Sequence, residues 1–252
     1  MTTGQMTGLI AAIVLPVLTG MIPYYIFWRH SSKIETGMLG ALTYGVLGYF
    51  WEEIIYSFLG LVALTNMSGV LNATGGNAVF VAFAEALASG LFVGIGLYWG
   101  IYLTNTKQRS LFRSAAVGIG FGIGAALLNY GFQLYYAIRI HMGIFTGTDT
   151  ARDKILSVSS ASLYVAAYRN VMTVLVFMGA AFLMGRFYLE KRRFVSFLVP
   201  VVVWLFLRFT DVLLNTYAQQ TVAKAVYCLV ATVLAAGSLW MVRQWLQTER
   251  KL

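Results

Sequence analysis

The sequence predicts an all-α membrane protein, a single helical domain over residues 1–252 that crosses the bilayer seven times. Two observations indicate this class. Hydrophobic residues make up 59% of the chain and charged residues only 11%, whereas soluble domains carry about 25% charged residues. Apolar runs longer than about 18 residues recur along the chain, and this length suits membrane-spanning helices rather than barrel strands.

The predicted spans follow one another without an intervening soluble domain. Pro16 and Pro23 should kink the first span, and Pro200 lies near the start of the sixth. The first span has no basic residue before it and is too long for the core of a signal sequence, so we expect it to be retained. The seven spans cover residues 7–28, 36–63, 78–104, 112–138, 158–185, 194–218 and 222–244.

The basic residues between the spans predict the orientation of the chain. One set of connections holds Arg29, Lys33, Lys107, Arg109, Arg113, Arg186, Lys191, Arg192, Arg193, Arg243, Arg250 and Lys251, and the opposite set holds Arg139, Arg152, Lys154 and Lys224. Because lysine and arginine concentrate in cytoplasmic loops, we expect an external N-terminus and a cytoplasmic C-terminus in a bacterial plasma membrane. The net charge of +9 then reflects topology and contact with anionic lipids, not nucleic-acid binding.

Glycines at a spacing of four residues mark the third and fourth spans. The pairs are Gly90 and Gly94, Gly118 and Gly122, and Gly120 and Gly124. This spacing lets two helix backbones approach closely in a bilayer. We therefore expect the two spans to form a tight helical hairpin, with small-residue grooves that suit the docking of another helix.

Six ionisable residues fall inside the predicted spans and away from the span ends, where a charge is costly and is usually paired or functional. They are Glu52, Glu53, Glu85, Arg169, Arg208 and Asp211. At a rise of about 1.5 Å per residue, we expect all but Glu53 to lie roughly 10 to 16 Å from the outer ends of their spans, at one level. Three interpretations stay open: a buried network that fixes helix register with some acids protonated, charges that face water near helix ends, or an outward-opening cavity that binds a ligand or peptide.

Eight tyrosines fall mostly in the same outer half. They are Tyr44, Tyr49, Tyr56, Tyr130, Tyr135, Tyr136, Tyr164 and Tyr168. Such residues line a cavity or form an aromatic belt at the membrane surface.

Metal and cofactor chemistry has little support in the sequence. His30 and His141 both lie outside the predicted spans, which excludes a histidine metal site within the membrane. Cys228 is the only cysteine, so an internal disulfide and a thiolate zinc cluster are also excluded. We expect no cofactor.

Residues 86–130 resemble the central helical pair of the YhfC family of glutamic-type intramembrane proteases, relatives of the PrsW and CAAX-processing groups. The family patterns G-[IL]-F-E-E-x-G-R-Y and G-I-G-H-G-x-x-E fall on residues 90–98 (GLFVGIGLY) and 118–125 (GIGFGIGA). Residues 40–42 and Glu52 look like the family's second span. Tyr168 and Arg169 fall where the family has Glu-Arg, and Leu207 and Asp211 fall on its H-x-x-x-D pattern.

The residues that the family uses for catalysis are replaced here. The glutamate pair falls on Val93 and Gly94, the arginine on Leu97, the histidines on Phe121, Val176 and Leu207, and a further glutamate on Ala125. Hydrolysis of a peptide needs a base to activate water and donors for the oxyanion, and these side chains supply neither. The resemblance therefore implies a protease scaffold without the protease chemistry.

The sequence thus predicts a catalytically degenerate, intramembrane-protease-like protein. It would bind a peptide, a transmembrane helix or a partner subunit in the cleft of its helix bundle, with the bilayer as its other partner. Two alternatives stay open. One is an active protease that uses Glu52, Glu53 or Glu85. The other is a small transporter, or a subunit of a transport complex, whose polar site is the layer of charged residues.

Overall fold

The computed structural model describes residues 2–30, 34–50, 54, 76–105, 110–145, 149–217 and 220–249, and these residues contain helices and connections but no strand. A short π-helical segment, Tyr44–Tyr49, continues the second helix. The helices are α1 (Thr3–His30), α2 (Ile34–Thr43), α3 (Gly76–Asn105), α4 (Leu111–His141), α5 (Asp149–Leu156), α6 (Ser160–Leu189), α7 (Arg193–Tyr217) and α8 (Gln220–Glu249).

Six of these helices are long and apolar enough to cross a membrane: α1, α3, α4, α6, α7 and α8. The chain is therefore a multi-pass helical membrane protein, and the six helices correspond to six of the seven predicted spans. The remaining predicted span, residues 36–63, is described only as far as Phe50 and at Ile54. Glu52 and Glu53 lie outside the described residues, so the seventh crossing stays a prediction.

The helices begin and end at two opposite ends of the bundle. At one side the ring of Phe112, at the start of α4, lies 5.6 Å from that of Phe27 in α1 and 5.1 Å from that of Trp245 in α8. We call this side the basic end, since the predicted cytoplasmic connections begin or end there. At the other side, the far end, the Gln5 amide donates to the carbonyls of Leu156 and Val158, each at 2.8 Å.

Helices α4 and α6 form the centre of the bundle. Helix α4 contacts α1, α2, α3 and α6, and α6 contacts α1, α4, α7 and α8. Residues 111–126 of α4 are buried apart from the half-buried Ile123, whereas most of residues 127–141 are exposed or half-buried. The glycine-rich half of α4 is thus enclosed by other helices, and its far half borders more open space.

The glycines of α4 sit where two other helices cross it closely. Gly118 and Gly122 face α6, whereas Gly120 and Gly124 face α2. An added Cβ would overlap the carbonyl oxygen of Phe177 at Gly118, the Cα of Val174 at Gly122, the carbonyl oxygen of Gly37 at Gly120 and the Cα of Ala41 at Gly124. Close packing through small residues therefore holds α4 between α6 and α2.

The glycine pair of α3 packs on α7 rather than on α4. A Cβ at Gly90 would lie 2.9 Å from the carbonyl oxygen of Val201, and one at Gly94 would lie 2.5 Å from a methyl group of the same valine. Helix α3 reaches α4 through Gly96, which borders the ring of Phe121. The expected hairpin thus differs from the structure in the partners of its glycines, because each pair is covered by a third helix.

Candidate functional site

Four of the predicted intramembrane charges meet in the structure. Nη2 of Arg208 lies 2.9 Å from Oε1 of Glu85, and its Nη1 lies 3.6 Å from Oδ2 of Asp211. The same Asp211 oxygen lies 3.1 Å from Nη2 of Arg169. We call these four residues the ion-pair chain. It contains two acids and two arginines, so its formal charges cancel.

Three helices position the ion-pair chain. Arg208 and Asp211 are three residues apart and share one face of α7, while Glu85 comes from α3 and Arg169 from α6. The Glu85 side chain is 2% exposed, against 25% for Arg208, 13% for Asp211 and 33% for Arg169, so the Glu85 end of the chain is the more buried one. A charge inside a membrane protein is costly unless it is paired. The ion pairs between these helices therefore offset the cost of burying the four charges.

Tyr227 of α8 completes one end of the ion-pair chain. The guanidinium carbon of Arg169 lies 4.1 Å from the centre of the Tyr227 ring, in a cation–π contact. Tyr227 is almost fully buried. The sequence interpretation did not include this tyrosine, because the charges of its predicted span, Lys224 and Arg243, lie near the span ends and were assigned to the connections.

A cavity of about 390 Å³ lies beside the ion-pair chain. Most of its wall is polar, in contrast with the apolar helices around it. Its lining residues are Tyr44, Gly122, Ala125, Ala126, Asn129, Tyr130, Gln133, Arg169, Asn170, Thr173, Trp204, Leu207, Arg208, Asp211 and Tyr227. Glu85 does not line it, so the acid that the cavity presents is Asp211.

Side-chain amides supply part of the polar wall, and sequence reasoning missed them. Asn129 and Gln133 are four residues apart and share a face of α4. Asn170 lies next to Arg169 in α6, where its amide also donates to the carbonyl of Ala12 at 2.8 Å. Amides at helical spacing within an apolar span were the available signal, which a search restricted to ionisable residues passes over.

Four packed aromatic rings lie at the basic-end side of the cavity. Phe121 lies 4.7 Å from Tyr44 and 5.0 Å from Phe177 between ring centres, and Phe177 stacks on Trp204 at 5.0 Å. Trp204 also donates its indole N–H to Ser89 at 2.9 Å. We call these four rings the aromatic floor. Along α4, α6 and α7, each ring comes nearer the basic end than the polar residues do, so the floor separates the cavity from that end.

The tyrosines divide between the two roles that the sequence left open. Tyr44 and Tyr130 line the cavity. Tyr135, Tyr136, Tyr164 and Tyr168 are exposed on the bundle surface, as in an aromatic belt. The Tyr49 side chain and Tyr56 lie outside the described residues.

The residues on which the family's catalytic pattern was expected to fall are apolar and packed. Val93, Phe121, Ala125, Val176 and Leu207 are all buried, and Gly94 lies against α7. Ala125 and Leu207 reach the cavity wall, where they present only hydrocarbon.

The site can therefore offer hydrogen bonds, paired charges and an aromatic surface to a bound group. Within the part of the chain that the structure describes, no three histidine, cysteine or acidic side chains converge as metal ligands would. Neither protein-family models, nor curated proteins, nor solved structures match this chain.

Proposed function

We propose that this protein binds a peptide segment of a membrane partner in its polar cavity and leaves the peptide intact. The observation that carries the proposal is the polar cavity itself, enclosed by otherwise apolar membrane helices. A peptide in a membrane must satisfy its backbone N–H and C=O groups. Side-chain amides both donate and accept hydrogen bonds, so Asn129 and Gln133 suit an unpaired stretch of backbone.

The likeness to intramembrane proteases, which we retain as a proposal, supports peptide binding without peptide hydrolysis. The positions of the family's water-activating residues hold Val93, Gly94, Phe121 and Ala125, and none of these can accept a proton from water. Of the three acids that could replace these residues in an active protease, the structure describes Glu85. It lies outside the cavity wall and is bonded to Arg208 at 2.9 Å, which suits a structural role.

The distribution of basic residues supports a site that opens toward the outside of the cell. If the basic end is cytoplasmic, the aromatic floor lies on the cytoplasmic side of the cavity, and Gln133 lies on the external side. A partner segment would then enter from the external half of the membrane. The aromatic floor also disfavours a continuous transport path through the bundle, because it would have to open for a solute to pass.

Site-specific cross-linking tests the proposal. The photoreactive residue p-benzoylphenylalanine replaces Gln133, which lines the cavity, or the neighbouring Phe132, which is 54% exposed and does not line it. After illumination in native membranes, we expect a discrete adduct from position 133, with the partner peptide identified by mass spectrometry. Position 132 should give only lipid or diffuse products.

A blocking substitution supplies the matched control. Asn129→Trp places a large ring in the cavity wall one helical turn before position 133, whereas Leu127→Trp changes an exposed position that does not line the cavity. The first should abolish the adduct and the second should keep it. Recovery of cleaved partner would instead favour a protease that uses Glu52 or Glu53. An adduct that survives Asn129→Trp, or no adduct at position 133, would overturn the proposal.

A further inference from the structure

A second cavity opens on the outside of the bundle, away from the polar site. Its volume is about 460 Å³, and α1 and α2 form its walls with α4 as its floor. We call it the lateral groove. Its lining residues are Gly20, Met21, Tyr24, Tyr25, Trp28, Gly37, Met38, Ala41, Ile119, Gly120 and Ile123.

Small residues create the depth of the lateral groove. Gly37 of α2 and Gly120 of α4 meet backbone to backbone at its base, and Gly20 removes a side chain from the α1 wall. At the mouth, Met21 and Met38 are 58% and 63% exposed. In a membrane protein this mouth faces the lipid phase. Apolar walls with two flexible methionines suit a hydrocarbon chain, which gains dispersion contacts along its length.

A cation stands at the rim of the lateral groove. The guanidinium of Arg29 lies 4.8 Å from the centre of the Tyr25 ring and donates to the hydroxyl of that tyrosine. Arg29 is exposed and belongs to the last turn of α1, beside Trp28. Tryptophan, tyrosine and arginine at the end of a span mark the level of lipid headgroups. An arginine at that level is well suited to bind a phosphate group through charge-assisted hydrogen bonds.

We propose that the lateral groove binds one glycerophospholipid, with an acyl chain between α1 and α2 and the lipid phosphate at Arg29. The two parts of the site match the two parts of the molecule. The apolar slot takes the chain, and the cation at its rim takes the charge. Because Glu35 is exposed in the first turn of α2, a zwitterionic headgroup is a better probe than one with a net negative charge.

Native mass spectrometry of the delipidated protein in detergent tests both parts. The probes are dioleoylphosphatidylethanolamine and dioleoylglycerol, which share their chains and differ in the phosphate headgroup. We expect the wild-type protein to bind one phospholipid more tightly than further copies. Arg29→Gln should lower the affinity for the phospholipid by about tenfold and leave the affinity for dioleoylglycerol unchanged. Its control is Arg193→Gln, an exposed arginine away from the groove.

Filling the slot tests the chain assignment separately. Met38→Trp enlarges a side chain at the mouth, while Leu42→Trp enlarges one that is 64% exposed on the same helix and does not line the groove. Met38→Trp should lower the affinity for both lipids, and Leu42→Trp should change neither affinity. Equal binding by the Arg29→Gln and Arg193→Gln proteins would overturn the phosphate assignment. Equal binding by the two tryptophan variants would overturn the groove assignment and leave only ordinary annular lipid.

Discussion

Nη2 of Arg208 lies 2.9 Å from Oε1 of Glu85, a carboxylate whose side chain is only 2% exposed. This ion pair joins α7 to α3 inside the membrane-spanning part of the bundle. Through Asp211 and Arg169 it continues to α6, so one chain of charges links three helices. The polar cavity borders the more exposed end of that chain, and the arrangement of its charges therefore depends on the buried pair.

Removal of one partner from the buried pair should destabilise the protein strongly. Glu85→Leu removes the nearer carboxylate of Arg208 and leaves that of Asp211 at 3.6 Å, and we expect a loss of about 3–5 kcal/mol in the free energy of unfolding. The double variant Glu85→Leu with Arg208→Met should recover most of this loss, because it removes both charges together. Unfolding in mixed micelles with increasing dodecyl sulfate measures the difference.

The exposed pair Arg186–Glu190 is the control for this measurement. Its atoms lie 3.3 Å apart, but its side chains are 58% and 40% exposed. Arg186→Gln should therefore change the free energy of unfolding by less than about 1 kcal/mol. A loss at Glu85→Leu no larger than that at Arg186→Gln would contradict a structural role for the buried pair.

Two glycines of α4 should respond in opposite ways to the same substitution. Gly120→Ala forces a methyl group against the carbonyl oxygen of Gly37, so we expect a loss of about 2–3 kcal/mol. Gly131→Ala adds a methyl group that meets no atom of the described residues within 4 Å beyond its own stretch of helix, and alanine is the better helix former, so it should stabilise by about 0.5–1 kcal/mol. Thermal unfolding of both variants in detergent checks the contrast. Equal effects would show that α2 does not pack on α4 at Gly120.

The proposed orientation of the bundle predicts which surface cysteines react in intact cells. Met142 follows α4 at the far end, and Arg192 precedes α7 at the basic end. Both side chains are exposed. In a Cys228→Ser background, Met142→Cys should react with a membrane-impermeant maleimide and Arg192→Cys should not. Both should react once the cells are lysed, and the reverse pattern in intact cells would invert the topology.

The class of the fold and the polar cluster were within reach of the sequence. Apolar runs of membrane-spanning length predicted a helical membrane protein, which the structure confirms. The cost of charge in a membrane singled out Glu85, Arg169, Arg208 and Asp211, and the structure brings these four together. Residue type and depth along a helix sufficed for this, since both are local properties.

The sequence could not predict which helix packs on each face of α4. The spacing of Gly118 and Gly120 predicts close contact but does not say which helix makes it, because small residues accept any neighbour. The structure gives one face of α4 to α6 and the other to α2. Tyr227 and Asn129 were missed for a related reason, since an uncharged polar residue in a span is common and becomes informative only beside its neighbours.

The accessibility of the cavity to water distinguishes a polar binding site from a closed helix core. In a Cys228→Ser background, Thr173→Cys places a thiol on the cavity wall, Val233→Cys places one on the lipid-facing surface of α8, and Met142→Cys serves as the exposed reference. With a membrane-impermeant methanethiosulfonate, we expect modification at positions 142 and 173 and none at 233. A Thr173→Cys protein as unreactive as Val233→Cys, while position 142 reacts fully, would contradict a water-accessible polar cavity and the binding role proposed for it.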